Sequence, residues 1–457
     1  MKSNSKKNLL VIFKIVLFTL ILASCGSTKE VAPIIESSVS DFTIKTLTNG
    51  IPVVFKQNKG SKIVVLRMIF EGGSSAIDET LGGLEDVTFD MILRGSQEYP
   101  YEKIRQLEYE KSFSLTSSVG KDFSTLGFTC IQRDMSEVLT IFADCLLNPQ
   151  MSQADFGQKM NENSSSIASR NADPSGALSL ALTRTAFAGH PYSTTNYVTA
   201  ESFKNINLDL VHGHYEGLLN ALRIKFVIIG NFSFDLMADF TAELEKSFGH
   251  LSKKQFSEPK IPKIPFGVGN VLVANEQAGD SGYIAGFFPC PERTSEDYIP
   301  FAIATMYLND LFFAEVREKA GAVYSINTGV IGGKELLGVI SLYKATEKKN
   351  LKKTIYAALS NFNATDLDRE LDLYKNKYIS SLYSPSQTAS GTAASVVSSF
   401  EYFENPSEYL HRVEKVQNTT IKDVIAAYKI YIEPITKQDS IRWVVVDSED
   451  NLPDYDF

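Results

Sequence analysis

Apolar and polar residues follow two different periods along the first part of this chain. The stretch 62–73, KIVVLRMIFEGG, is apolar at successive positions and ends in two glycines, which predicts a central β-strand buried on both faces. The stretch 49–58, NGIPVVFKQN, predicts a strand just before it. Residues 82–96, GGLEDVTFDMILRGS, have the spacing of an amphipathic helix. We therefore expect this helix to pack beside a sheet and one of its faces to border a cleft.

The same order of patterns occurs twice in the chain. Residues 126–149 predict an apolar strand followed by an amphipathic helix, and residues 336–362 repeat this order. Residues 205–231 predict a helix, a turn and a buried strand, and residues 418–448 repeat that order. The repeat predicts an α+β fold of two tandem homologous domains, each with a mostly antiparallel sheet packed against helices.

The boundary between the two repeats lies in a segment that contains three prolines and several lysines. This segment, LSKKQFSEPKIPKIPFG at 251–267, predicts a linker rather than a helix or strand. A chain of 457 residues also exceeds what one hydrophobic core usually supports. We therefore expect an N-terminal domain at 41–250 and a C-terminal domain at 268–457.

The first 25 residues have the features of a removable export signal. Lysines precede an apolar stretch that is too short and too interrupted for a good membrane-spanning helix. The sequence LASC at 22–25 resembles the bacterial lipoprotein cleavage site, which implies a lipid on Cys25, and a plain secretory signal is the alternative. Residues 26–40 are typical of a polar tether. We expect a chain anchored by lipid in the bacterial cell envelope, on the outer membrane facing the periplasm.

Composition and charge narrow the classes of partner. A hydrophobic content of 44% with 22% charged residues is typical of a globular protein. The net charge of −9 argues against a nucleic-acid-binding surface, and we expect no nucleic-acid partner. Beyond Cys25, the residues Cys130, Cys145 and Cys290 have no short metal-binding spacing and predict free thiols. A disulfide between Cys130 and Cys145 is the alternative in an oxidising compartment.

Two carboxylates lie on one face of the predicted helix at 82–96. Asp86 and Asp90 are four residues apart, which places both side chains where a metal or a reacting group could be held. A solvated acidic face is the alternative. The histidines do not complete a metal site, since none has a partner at a metal-binding spacing. They are His190, His212, His214, His250 and His411.

Taken together, these segments resemble the zinc peptidases that include insulinase, pitrilysin and the mitochondrial processing peptidase. The resemblance covers nearly the whole mature chain. It implies a half-clamshell of two domains with the fold of the LuxS and metallopeptidase group. The motifs that carry it are NG at 49–50, GG at 72–73, GGL to RGS at 82–96, LLNP at 146–149, DPSG at 173–176 and FAGHPY at 187–192.

The zinc motif of that family is absent from this chain. In the family, the helix after GGL carries HxxEH, in which two histidines bind zinc and the glutamate activates water. Here Asp86 stands at the first histidine, Phe89 at the glutamate and Asp90 at the second histidine. Ser166 stands at a distal glutamate that completes the ligand set. The resemblance therefore implies no metal and no cofactor in this chain, with zinc only in a partner subunit.

The second half keeps another motif of the family. The stretch FFAEVREKAGAVYSI at 312–326 resembles the segment whose arginine and tyrosine reach the active site. The resemblance implies that Arg317 and Tyr324 contact the scissile carbonyl and stabilise the developing oxyanion, in the active site of another chain. A surface arginine beside Glu315 and Glu318, with a tyrosine that packs on the sheet, is the alternative.

Three hypotheses for function follow. The first is a non-zinc subunit that pairs with a homologous HxxEH chain and cleaves unfolded peptides, which would add as a strand to a sheet edge at 115–125. The second is a peptide-binding or scaffold protein of the same fold with no catalytic output. The third is an autonomous hydrolase that holds a hard cation at Asp86 and Asp90.

Overall fold

The computed structural model describes residues 41–267, 269–437 and 440–457. It contains two β-sheets packed against helices, so the predicted α+β class is confirmed. The predicted export signal, Cys25 and the tether lie outside the described residues and stay predictions.

The first half of the described chain forms a six-stranded sheet. The strand order is β1-β2-β6-β3-β5-β4, and neighbouring strands are antiparallel except for the parallel pair β2 and β6. The strands are β1 (Phe42–Thr46), β2 (Pro52–Gln57), β3 (Ile63–Glu71), β4 (Ser114–Val119), β5 (Phe123–Ile131) and β6 (Ile224–Gly230). The helices are α1 (Leu84–Leu93), α2 (Tyr101–Lys111), α3 (Met135–Leu147), α4 (Gln153–Ala172), α5 (Pro174–Ala186), α6 (Leu208–Leu218) and α7 (Phe234–Phe248).

The second half forms a five-stranded sheet with the same character. Its order is β7-β11-β8-β10-β9, with one parallel pair, β7 and β11. The strands are β7 (Val271–Ala274), β8 (Gly282–Pro289), β9 (Val323–Gly332), β10 (Leu336–Ala345) and β11 (Arg442–Asp447). The helices are α8 (Tyr298–Phe312), α9 (Leu351–Ser360), α10 (Ala364–Tyr383), α11 (Ala389–Phe403), α12 (Glu408–Asn418) and α13 (Ile421–Ala427), and π-helical turns follow α8 at Phe313–Lys319 and α13 at Tyr428–Ile432.

The elements that the repeat predicts are present in both halves. β5 and α3 correspond to β10 and α9, and α6 and β6 correspond to α13 and β11. The strand predicted at 62–73 is β3, which lies inside the first sheet between β5 and β6. Its side chains alternate between two apolar cores, because Leu66 and Met68 face one and Val65 and Ile69 face the other. A strand buried on both faces has to be apolar at successive positions.

Each sheet has one face covered by a helix from the other half of the chain. On the first sheet, Val65 and Ile69 pack against Val396 and Val397 of α11. On the second sheet, α5 packs in the same manner through Leu178. Fully burying an aliphatic side chain contributes about 1.5–3 kcal/mol, so these helices stabilise the opposite half. The predicted boundaries at 250 and 268 stay predictions. The strands of each sheet lie on one side of these boundaries, and the helix that covers one face of the sheet lies on the other side.

A buried carboxylate also joins the two halves. Tyr192 donates its hydroxyl to Asp122 at 2.5 Å, and the backbone N–H of Lys334 donates to the same carboxylate at 2.8 Å. Asp122 follows the first sheet's edge strand, and Lys334 lies in the turn between β9 and β10. Burial raises the pKa of Asp122, although these hydrogen bonds oppose the shift. The edge of one sheet is therefore fixed to a hairpin of the other.

The segment Tyr298–Lys319, which is α8 and its π-helical turn, is long and apolar enough to span a membrane by length and composition alone. However, 56% of its most apolar window is buried inside the protein. Phe301, Leu308 and Phe312 belong to the core of the second half. The segment is thus the central core helix of that half.

Candidate functional site

Helix α1 begins at a position that only glycine fits. Gly83 has φ +87°, and a Cβ atom there would overlap the backbone of Tyr197 and Val198. Its N–H donates to the carbonyl of Thr195 at 3.1 Å. The GGL motif therefore sets the start of α1 against the loop at 195–198, with the helix beside the edge strand β4.

Asp86 and Asp90 lie on one face of α1, as their spacing predicts, and both form ion pairs within the chain. The Lys159 ammonium lies 3.2 Å from Asp86 Oδ2 and 3.7 Å from Asp90 Oδ1. Arg94, one turn further along, donates from Nε to Asp90 Oδ2 at 2.8 Å. Both carboxylates therefore already have cationic partners from the protein itself.

Helix α4 supplies the other side of this cluster. Arg94 Nη2 donates to both carboxylate oxygens of Glu162 at 3.0 Å. Lys159 and Glu162 are three residues apart, so they share the face of α4 that contacts α1. Ser166, which the family resemblance places at the distal ligand position, is exposed one turn beyond Glu162. The sequence analysis did not predict a role for Lys159 and Glu162. Their spacing of three residues, which places them on one helical face, was the available signal.

Phe89 belongs to the hydrophobic core. Its side chain is fully buried, and its ring centroid lies 5.5 Å from that of Phe70 on β3. A carboxylate at this position would lose its hydration without gaining a partner. The position that carries the catalytic base in the zinc peptidases therefore serves packing in this chain.

These residues do not fit a zinc ion. An ammonium group and a guanidinium group face the two aspartates, and no imidazole ligand lies among them. Over residues 41–267, 269–437 and 440–457, no group of three or more His, Cys, Asp or Glu side chains is placed to hold a metal. The same contacts oppose the hypothesis of a hard cation at Asp86 and Asp90.

Two of the histidines have structural contacts. His190 is buried, and its Nε2 lies 2.9 Å from the carbonyl oxygen of Pro262 in the predicted linker. His214 Nε2 lies 3.1 Å from Glu85 Oε2, and Glu85 is itself buried on α1. The pair between His214 and Glu85 holds α6 to α1. The sequence does not predict this pair, because Glu85 and His214 lie 129 positions apart on different helices.

Arg317 and Tyr324 lie together on the surface of the second half. The Arg317 guanidinium carbon is 5.6 Å from the centroid of the Tyr324 ring and 4.7 Å from that of Phe313. Tyr324 is 67% exposed and Phe313 is 42% exposed. The Arg317 Nε atom is 3.9 Å from Glu318 Oε1, at the limit of an ion pair. The π-helical turn at Phe313–Lys319 carries Arg317, and such turns are frequent at functional sites.

The edge strand β4 is accessible on its outer side. On this side the Leu115 N–H donates to Glu108 Oε1 at 2.9 Å, and the Val119 carbonyl accepts from Asn196 Nδ2 at 2.8 Å. Alternate residues of an antiparallel strand direct their backbone groups to the same side. Ser117, which is exposed, therefore directs its N–H and C=O outward between these two contacts.

The thiols of Cys130, Cys145 and Cys290 are free in the structure. Burial raises the pKa of each thiol to about 12. Thiols with such pKa values are protonated at neutral pH and react slowly. They therefore contribute no nucleophile to this site.

Comparison with known proteins places these features in a family context. Residues 52–199 match the family model described as insulinase (peptidase family M16), and residues 205–378 match the model described as the peptidase M16 inactive domain. A curated relative from Helicobacter pylori, the non-peptidase homolog YmxG, is 20% identical over 185 residues. The aligned region covers 40% of this chain and 43% of that relative, so the match spans less than half of its length.

Two solved structures share the fold over most of the chain. A peptidase M16 inactive domain from Pseudomonas fluorescens has a TM-score of 0.76 at 17% identity, over 89% of this chain and 98% of that one. A structure described as a protease from Helicobacter pylori has a TM-score of 0.78 at 14% identity, over 89% of this chain and 99% of that one. At such low identities the likeness concerns the fold alone.

Proposed function

Because this chain belongs to peptidase family M16, the insulinase family, and is a catalytically incomplete member of it, we propose that it acts as the non-zinc subunit of a two-chain peptidase. A homologous subunit with an intact HxxEH motif would hold the zinc ion. This chain would supply Arg317 and Tyr324 to the partner's active site and help to bind an unfolded peptide.

The observation that carries the proposal is the exposure of Arg317 and Tyr324. Tyr324 is 67% exposed, and the Arg317 side chain is 37% exposed, with its Nε atom 3.9 Å from Glu318 Oε1. A guanidinium and a phenol on one surface can donate hydrogen bonds to a carbonyl oxygen that becomes negative during hydrolysis. The α1 face of the same chain holds its own cations and does not fit a metal, so in this proposal another chain would provide the zinc.

The test is reconstitution with an HxxEH chain from the same genome. The assay measures the rate at which the mixture of the two chains cleaves a fluorogenic unstructured peptide, and compares it with the rate of either chain alone. Arg317→Ala should lower kcat about 10²–10³-fold, as loss of an oxyanion donor does elsewhere, and Tyr324→Phe should also lower it. Lys319→Ala is the matched control, because Lys319 is an exposed cation two residues away that pairs with Glu315. Equal rates for Arg317→Ala and Lys319→Ala would refute the catalytic role.

We further propose that the peptide binds by adding a strand to β4. Support comes from the outward backbone groups of Ser117 on an edge strand of the first sheet. Ser117→Pro removes the N–H that such a strand needs, whereas Ser117→Ala keeps it. Fluorescence anisotropy of a labelled unstructured peptide should show weakened binding for Ser117→Pro and unchanged binding for Ser117→Ala.

A peptide-binding or scaffold role without catalysis is the second candidate. The edge of β4 supports it, because strand addition needs backbone groups and no metal. In this case the chain would bind unfolded peptides alone, and no HxxEH chain would form a stable complex with it. Size-exclusion chromatography of the chain with and without such a partner distinguishes the two functions.

The location of the protein is proposed from its N-terminal sequence. Lipidation of Cys25 would anchor the chain to the outer membrane, facing the periplasm. Cys25→Ser should release the protein into the soluble periplasmic fraction after cell disruption. Retention of this variant in the membrane fraction would contradict the lipid anchor.

A further inference from the structure

The face between α1 and α4 has a cation built into the protein. Lys159 is only 13% exposed, and its ammonium contacts both Asp86 and Asp90. We propose that Lys159 is an internal counter-ion that substitutes for a metal ion between these helices. Its charge holds α1 against α4, so this wall beside β4 keeps its geometry with no bound ion.

The exposed fraction of each side chain shows which charged groups would lack hydration if the ion pairs of this cluster were broken. The two cations are well covered, with 13% exposure for Lys159 and 9% for Arg94. The carboxylates are more open to water, with 39% for Asp86, 34% for Asp90 and 49% for Glu162. An unpaired carboxylate could therefore recover hydration, whereas an unpaired Lys159 ammonium could not.

The second half has a related but more exposed contact. Asp310 at the end of α8 contacts the ammonium of Lys377 on α10 at 2.6 Å, and α8 and α10 occupy the places in the repeat that α1 and α4 occupy in the first half. A lysine on the later helix thus faces a carboxylate on the earlier one in both halves. The recurrence favours a structural role for the lysine, because the contact occurs in both halves although only α1 of the first half aligns with the family's zinc motif.

The unequal exposure gives a test on the isolated chain. Asp86→Asn with Asp90→Asn leaves a covered ammonium without a carboxylate partner, and should lower Tm by about 5 °C. Lys159→Met alone should lower Tm less, because water reaches the two carboxylates. Adding Lys159→Met to the double asparagine variant should restore most of the lost Tm, because the unpaired charge is then removed.

A matched control pair lies on neighbouring helices. Lys111 and Glu137 are 2.7 Å apart, but both are more exposed than Lys159, so Glu137→Gln should shift Tm little, and adding Lys111→Met should rescue nothing. The proposal is overturned if the triple variant is no more stable than the double asparagine variant. It is also overturned if the wild-type chain keeps a stoichiometric ion after dialysis from excess Zn²⁺ or Mn²⁺. Neither result depends on a partner subunit, so the proposed function is tested separately.

Discussion

The two halves of the molecule have the same helix pair and edge strand, but the charged side chains on these helices differ in burial. In the first half, Asp86 and Asp90 are neutralised by Lys159 and Arg94, whose side chains are nearly buried. In the second half, Asp310 pairs with a Lys377 that is 43% exposed. A cavity of about 360 Å³ lies between α8 and the edge strand β9 there, lined by both of these residues.

The two halves therefore differ in how far the corresponding helix faces are covered and ion-paired. The first half has a phenylalanine in its core at the base position and protein cations against the carboxylates at the ligand positions. The second half exposes Arg317, in the π-helical turn after α8, and Tyr324, on β9. The α1 face of the first half is thus packed and ion-paired, while the groups that would act on another chain in the proposed function lie in the second half.

The largest loss of stability is expected when the residues of the zinc motif are introduced into α1. The variant Asp86→His, Phe89→Glu, Asp90→His would bury a carboxylate against Phe70 and leave Lys159 unpaired. Since Phe→Ala in a core already costs about 3–5 kcal/mol, we expect a loss of at least that size in the free energy of unfolding. Urea denaturation measures it, with Phe89→Leu as the control for ring loss alone. A stable variant that binds zinc would contradict the assignment of Phe89 to the core.

The second-largest loss of stability is expected for a variant that tests whether the two halves unfold together. Ile69 lies on the face of the first sheet that α11 covers, so Ile69→Ala should cost about 2–5 kcal/mol. The chain has one tryptophan, Trp443, which is buried in the core of the second half. Its fluorescence should therefore report a lower unfolding midpoint, coincident with circular dichroism. Ile63→Ala is the control, because Ile63 is an exposed residue of the same strand.

A Trp443 transition unchanged by Ile69→Ala would mean that the halves unfold independently. The boundary predicted at 251–267 would then also separate two cooperative units. A shared transition would instead show that the helices exchanged between halves unite them.

The sequence predicted the local elements well and their long-range partners poorly. The apolar run of β3 and the helix at 82–96 follow from periodicity and glycine positions, which act over a few residues, whereas the sheet edge near 115–125 was expected from the family resemblance. The ion pair between Asp86 and Lys159 depends on where two distant helices meet, and no local pattern encodes that. The position of α11 was equally hidden, because its small and apolar residues suit packing on either sheet.

A moderate effect is expected from pH, through a lysine beside the junction of the halves. Lys121 donates to the carbonyls of Tyr192 and Thr194, and burial lowers its pKa from 10.5 to about 8. Between these pH values the unfolded chain binds a proton that the folded chain has lost, so stability should rise with pH by on the order of 1–3 kcal/mol. Urea denaturation at about pH 8 and about pH 10 measures the rise. Lys121→Met should remove this component, and a rise of equal size in that variant would assign it to other groups.

The smallest effect is expected at the ion pair of the second half. Lys377 and Asp310 are 43% and 46% exposed, so water can replace either partner. Lys377→Met should therefore change the free energy of unfolding by about 0.2–1 kcal/mol, the range of surface pairs. A double-mutant cycle with Asp310→Asn measures the coupling, although Tyr374 also donates to Asp310 at 3.0 Å. Measuring Tyr374→Phe with and without Asp310→Asn separates the contribution of that hydrogen bond from that of the ion pair. If Lys377→Met cost as much as the loss of both aspartates opposite Lys159, burial of the cation could not be what distinguishes the two halves.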